Sequence, residues 1–200
     1  MPRRVWEGFQ YVRHDRILPG LFLLDIGMTV FTFYRQLIPA LASGLFHGGA
    51  GAVSLLTSAN SAGAVAGALA VLLAVRYRAK GMLVVYVTIA FSVCVFLFGT
   101  VTSLWLGTVM IIGMGAFDAV SMTTRQTIMQ LTTPDQMLGR TLSLGSLVAT
   151  TANNIGTLWV GFVAAGIGEA RTMQLGGALA LLCTLVVWRA VSGLRDYRYP

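Results

Sequence analysis

Charge is what this sequence has least of. Only 10% of its 200 residues are Asp, Glu, Lys or Arg, where a water-soluble domain carries about a quarter. So few cannot coat a folded surface with groups that water solvates. Cysteine and histidine are scarcer still, at two each. Cys94 and Cys183 both sit deep in apolar runs and read as small packing residues rather than a disulfide pair. His14 and His47 stand at the edges of apolar segments, so no cluster suggests a metal, a cofactor or histidine acid/base chemistry. What the chain does have is 56% hydrophobic residues and a mean hydropathy of +0.76. The 23 glycines therefore do not signal disorder, because disordered chains are poor in apolar residues. The composition is that of an integral membrane protein.

A membrane-crossing helix needs about 20 mostly apolar residues. Six stretches meet this: Ile17–Leu45, Ala52–Val75, Met82–Thr100, Leu104–Met122, Leu142–Ile167 and Met173–Ala190. Short turns separate them, with breakers at Gly48-Gly49, Gly81, Thr133-Pro134-Asp135 and Gly166–Gly168. Apolar residues run continuously instead of alternating, which excludes a β-barrel. The expected fold is an all-α membrane bundle of six helices over 17–191, with a lead-in at 1–16 and a tail at 192–200. The first apolar run is much longer than the roughly 7–15 residues of a signal-peptide core, so it is expected to remain as a span.

The net charge of +7 is distributed by side. Arg3, Arg4, Arg13, Arg16, Arg76, Arg78, Lys80, Arg125, Arg140, Arg189, Arg195 and Arg198 fall on one side, and only Arg35 and Arg171 on the other. Twelve against two is a positive-inside pattern, placing both termini in the cytoplasm. The charge is a topology signal, and a nucleic-acid partner is not expected. In the lead-in, Val5, Trp6, Phe9 and Val12 share a helical face, the pattern of a helix lying at the membrane interface. The alternative is a linker continuing from something upstream.

Ionisable groups inside a membrane are costly and mark candidate functional sites. The first span contains Asp25 and Arg35, the fourth Asp118 with Arg125 seven positions on. Seven residues is two turns, so Asp118 and Arg125 share a face and Arg125 is the expected partner of Asp118. Asp25 has no cation within a turn or two. Each acid reads as a site of proton or substrate coupling, or as a structural ion pair or cap. Arg125 reads as an interfacial anchor or ion-pair member, and Arg35 as a side chain that snorkels to headgroups.

The second and fifth spans are different. Ala59, Gly63 and Gly67 recur at every fourth residue, as do Gly145, Ala149, Asn153, Thr157 and Gly161. Such ridges of small and polar residues let helices approach closely. Asn153 and Asn154 are candidates for helix packing or for facing a substrate. The third and sixth spans carry no charge between their flanks. The order is thus charged, small-faced and plain, stated twice, which is the three-plus-three repeat expected of transporters. An intramembrane aspartyl protease does not fit, because Asp118 comes two positions later than a GxGD pattern after Gly113 requires.

The segments Glu7–Arg13, Leu24-Asp25, Asp118–Ser121, Arg125–Thr127, Thr133–Asp135 and Gly139-Arg140 together resemble the major facilitator superfamily. The similarity is to its branch of enterobactin-exporter-like efflux permeases, and it covers only the C-terminal half of a twelve-helix member. The resemblance implies that Asp25 and Asp118 face a central cavity, and that the second and fifth helices lie where two halves meet. It implies proton-coupled efflux of a small amphipathic solute, siderophore- or drug-like, across a bacterial inner membrane. Its partners would be lipid, solute, protons and a missing N-terminal half or a second copy, with no cofactor and no enzymatic activity. A truncated or non-transporting fragment that associates with other helices is the alternative. Arg76, Arg78 and Lys80 align with a basic loop that carries a gating signature in many members. The acidic residue of that signature is absent here, so the loop carries no gating expectation.

Overall fold

The computed structural model describes residues 2–74, 80–191 and 193, with the side chains of 2–7, 73 and 74 left aside. Arg76, Arg78, Arg195, Arg198 and most of the 192–200 tail, like the side chains of Arg3, Arg4, Val5 and Trp6, lie outside the described residues. Every regular element in that set is helical: α1 (Pro2–His14), α2 (Leu18–Phe31), α3 (Ile38–Gly44), α4 (Ala50–Ala74), α5 (Lys80–Phe98), α6 (Leu104–Thr132), α7 (Asp135–Ile167) and α8 (Glu169–Ala190). Six helical stretches are long and apolar enough to cross a membrane. A helix satisfies its own backbone hydrogen bonds, so it is the natural form for such apolar segments in lipid.

The first span is not the single helix expected over Ile17–Leu45. It divides into α2, a one-turn 3-10 segment at Tyr34–Leu37, and α3. The local chemistry accounts for the division. Thr32 turns both its N–H and its hydroxyl onto the Met28 carbonyl, at 3.1 and 2.5 Å. Phe33 then leaves helical geometry, with φ −73° and ψ 59°. Downstream, Pro39 has no N–H to offer the Arg35 carbonyl. At the start of α2, Asp15 Oδ1 accepts from the N–H groups of Ile17 and Leu18 at 2.8 and 2.9 Å, with Pro19 in the first turn, a position that suits its fixed φ.

The fourth span also departs from expectation. The apolar run ends near Met122, but α6 continues to Thr132. Thr124, Thr127 and Thr132 each donate a hydroxyl to the carbonyl one turn back, which lets polar residues ride in the helix at little cost. Thr133 is extended ahead of Pro134, ending α6. Gly168, at φ 83°, turns α7 into α8.

Packing interlaces the two repeats. α6 packs on α4 and α5, α2 packs on α7 and α8, and α5 joins α8. The first helix of each repeat thus rests on the second and third helices of the other. α2 and α6 share little direct packing. Two apolar clusters fill the bundle. One gathers Leu18, Leu21, Phe22, Leu24, Val84, Val85, Ile128 and Val187, together with Val12 of α1. The other gathers Tyr34, Leu37, Leu41, Leu56, Phe91, Val95, Phe98, Ile111 and Met114. The lead-in helix α1 lies against α7, and its Tyr11 hydroxyl donates to the Thr132 carbonyl at 3.2 Å.

Candidate functional site

The intramembrane charges are paired, but not as the sequence spacing suggests. Arg125 Nη2 donates to Asp25 Oδ1 at 2.8 Å, and Arg35 Nη2 lies 3.5 Å from Asp118 Oδ2. The expected Asp118–Arg125 pair along one helix is therefore replaced by two pairs across the space between the first and fourth spans. Asp25 does have a cationic partner, and Arg35 is held by Asp118 instead of extending to headgroups. The reason is antiparallel register. Asp25 lies seven residues from the start of α2 and Arg125 seven residues from the end of α6. At a rise of about 1.5 Å per residue, both sit about 10 Å from the same end of the bundle. Residues two turns apart on one helix are separated by a similar distance along the axis, too far for direct contact between short side chains.

The two pairs differ in burial. The side chain of Arg125 is 8% exposed and that of Asp25 26%, against 59% for Arg35 and 30% for Asp118. Asp118 occupies the midpoint of α6. Arg125 is thus an interior ion-pair member and not an interfacial anchor. Its Nη1 is sealed inside the protein without a hydrogen-bond partner, and Arg125 also lies within electrostatic reach of Asp118.

Two residues missed by sequence reasoning set the outer pair. Asn60 of α4 is buried and its Nδ2 donates to the Tyr34 hydroxyl at 2.5 Å. The Tyr34 ring packs against Phe91 with centroids 6.2 Å apart. Tyr34 thus anchors the 3-10 turn inward while the next residue, Arg35, reaches outward to Asp118. A lone asparagine in the small-residue face of span two was the available signal. The hydroxyls of Thr88 and Ser121 lie 3.3 Å apart and tie α5 to α6.

The small residues divide by role. A Cβ at Gly63 would overlap the Ile112 carbonyl oxygen, and one at Gly67 the Ala116 carbonyl oxygen. On the facing helix, a Cβ at Gly115 would overlap the Asn60 carbonyl oxygen. The second-span ridge is therefore spent inside the bundle, where α4 and α6 meet backbone to backbone. The fifth-span ridge is not. Gly161 has nothing within 4 Å of an added Cβ, and Gly145 meets only Met129 and, more distantly, Phe22. Asn153, Asn154 and Thr157 are exposed. Gly156, which lies off that ridge, makes the close contact with the Thr29 carbonyl and Phe33. Among the described residues no group of His, Cys, Asp and Glu is arranged to hold a metal.

Six apolar helices, two of them linked by ion pairs at membrane depth, define a polytopic membrane bundle with polar chemistry on the facing sides of α2 and α6. Residues 7–195 match the family described as transmembrane secretion effector. The chain belongs to that family, a branch of the major facilitator superfamily, and is a multi-pass membrane protein. It is 27% identical over 193 residues to the enterobactin exporter of Citrobacter koseri, covering 96% of this chain and 46% of the exporter. It is likewise 27% identical over 191 residues to the enterobactin exporters of Escherichia coli K12 and Shigella boydii, with the same shares covered. The chain thus spans just under half the length of the curated relatives it matches. No solved structure matches it.

Proposed function

We propose that this chain is one six-helix bundle of a proton-coupled efflux permease that moves a small amphipathic solute, siderophore- or drug-like, out of a bacterial cell. It works against a second bundle, supplied by a missing N-terminal half or by a second copy. The observation that carries the reading is the pair of intramembrane ion pairs. Two acids and two arginines on helices that barely touch are expensive to keep in a membrane, and such groups mark ion and substrate pathways. A titrating carboxylate that loses or gains its arginine changes what holds α2 to α6, and that links proton entry to helix movement.

The reading also uses the exposed face of α7, where Ser146, Thr150, Asn153, Asn154 and Thr157 stand open. Thr150 and Thr157 donate to their own helix at 2.9 Å each, so this face tolerates lipid and suits a polar, closely approaching partner. The chain sits in the inner membrane with both termini cytoplasmic, following its lysine and arginine distribution. Thiol labelling of single cysteines at either end, from one side of sealed vesicles, tests that orientation.

The deciding experiment is reconstitution of the chain, with its missing half where required, and comparison of proton-driven efflux with that of Asp25→Asn and Asp118→Asn. Loss of coupling in either variant supports the reading, and unchanged coupling in both removes it. A second reading is an association partner that does not transport. The open α7 face favours it equally, and co-purification with a second bundle without solute movement would establish it.

A further inference from the structure

We infer that Arg35 anchors an anion-binding site on the open face of the bundle, and that the solute this chain handles is an amphipathic organic acid whose carboxylate docks on the Arg35 guanidinium. The inference rests on the transport reading and names the class of solute moved.

The turn that carries Arg35 is built as a platform. Tyr34, Leu37 and Ile38 on either side of it are buried, and Tyr34 is fixed by the Asn60 amide and the Phe91 ring. Arg35 and Gln36 are left standing outward. A guanidinium presented from a fixed turn gives up little freedom on binding, which is where preorganised sites gain affinity. The backbone points the same way. The chain leaves α-helical geometry at Phe33, at membrane depth, and irregular backbone is tolerated there only against protein or along a water-filled cavity. With the Arg35 side chain 59% exposed, this turn borders the cavity.

Charge decides the sign of the ligand. Asp25 is occupied by Arg125 at 2.8 Å. Arg35 meets Asp118 through one nitrogen at 3.5 Å, with the Tyr34 hydroxyl also in reach, and exposed pairs this loose contribute little. A guanidinium has five N–H donors, so Arg35 keeps donors to spare, and its fork matches a carboxylate in two-point contact. Its side chain is twice as exposed as that of Asp118, 59% against 30%. An approaching solute therefore meets the cation first. Asp118 also lies within electrostatic reach of Arg125, which offsets its charge from the interior side and weakens its repulsion of an anion. The apolar part of the solute has a neighbour too. Met122, one turn from Asp118 along α6, is 52% exposed, and methionine adapts to varied apolar shapes.

The test uses the full-length chain in neutral detergent and a dansyl-labelled undecanoate, with its primary amide and the matching amine as controls. Empty micelles at equal detergent set the baseline. Fluorescence anisotropy at constant pH and low salt should show the carboxylate bound about tenfold tighter than the amide, the size of one charge-assisted contact. Arg35→Gln should remove that preference. Arg35→Lys should keep part of it, because lysine retains the charge without the fork. Asp118→Asn should tighten the carboxylate about threefold by releasing the donor it occupies. Equal affinities for carboxylate and amide, a preference for the amine, or a carboxylate preference that survives Arg35→Gln overturns the anchor. So does weaker carboxylate binding in Asp118→Asn. Displacement of the probe by phosphatidylglycerol but not by soluble octanoate makes the occupant a lipid headgroup and overturns the solute assignment. Should Arg35→Gln not yield monodisperse protein, modification of Arg35 by phenylglyoxal in the unaltered chain is read by mass spectrometry. Undecanoate must slow it and the amide must not; equal slowing, or none, overturns the site. Efflux separates this from the transport reading. Carboxylate preference without efflux in the reconstituted protein keeps the anchor and overturns transport, whereas efflux of a neutral solute with no carboxylate preference discards the anchor alone.

Discussion

The two interlaced triplets follow one plan with different materials. In α4–α5–α6, glycines bring backbones into direct contact: Gly63 and Gly67 lie under the carbonyls of Ile112 and Ala116, and Gly115 under that of Asn60. In α2–α7–α8 the first span is broken, and aromatic contacts accompany the glycine ones: a Cβ at Gly176 would overlap the Phe31 carbonyl oxygen just as one at Gly63 would overlap that of Ile112. Phe31 meets Trp159 edge-on at 5.6 Å between centroids, and Gly156 provides the closest approach of α7 to α2. Backbone-on-backbone packing has no soft rotamers to adjust, so these glycine contacts are stiff points in both triplets. Aromatic contacts around an interrupted helix can repack. The difference places the adjustable geometry at the interrupted first span, and the packing of α5 on α8 together with the ion pairs joins the two triplets.

Removing both acids should break this arrangement most severely. Asp25→Asn/Asp118→Asn leaves two arginines at membrane depth without a counter-charge. Stranding a buried charge costs about 3–5 kcal/mol, so the double variant should fail to give a folded, monodisperse protein on size-exclusion chromatography. Next come the backbone contacts between α4 and α6. Gly67→Leu drives a side chain into the Ala116 carbonyl, and overpacking of this kind costs about 1–3 kcal/mol. A clear drop in the thermal unfolding midpoint in detergent is expected. The same change at Gly161, where an added Cβ meets open space, should leave stability within about 0.5 kcal/mol of the starting protein and the midpoint nearly unmoved. Equal effects at the two glycines would remove the distinction between a spent ridge and an open one.

An effect of similar size to that at Gly67 is expected at the anchor of the broken span. Tyr34→Phe removes the acceptor of the buried Asn60 amide, and a buried donor left unsatisfied costs about 1–3 kcal/mol. Pairing it with Asn60→Leu should restore part of the loss, because both polar partners are then gone. The smallest stability change should come from Asn154→Leu on α7. Its expected signature is weaker association with a second bundle, read by co-purification, with unfolding unaltered.

Much of the architecture was legible in the chain because lipid imposes simple rules. Six apolar runs of spanning length, the glycine turn at 168 and the small ridge at Gly63 and Gly67 all needed only local composition and spacing. The charge pairing did not follow, for two connected reasons. Hydrophobicity alone ends the fourth span at Met122, and that boundary leaves Arg125 outside the membrane, beyond Asp25's depth. The helix in fact runs to Thr132 because its threonines satisfy their hydroxyls on their own backbone. With that end located, the reversed order of Asp and Arg on two antiparallel helices already implies the observed pairs.

The sequence by itself therefore determined the solvent, the number of spans, the repeat and the kinds of residue available for chemistry, since these depend on what lipid will accept along each helix. Only the tertiary structure decided which charge meets which, which small ridge is buried and where the first span breaks. Those outcomes depend on the relative depth and rotation of helices distant in the chain. Asp25 and Arg125 are a hundred positions apart in sequence and 2.8 Å apart in the bundle.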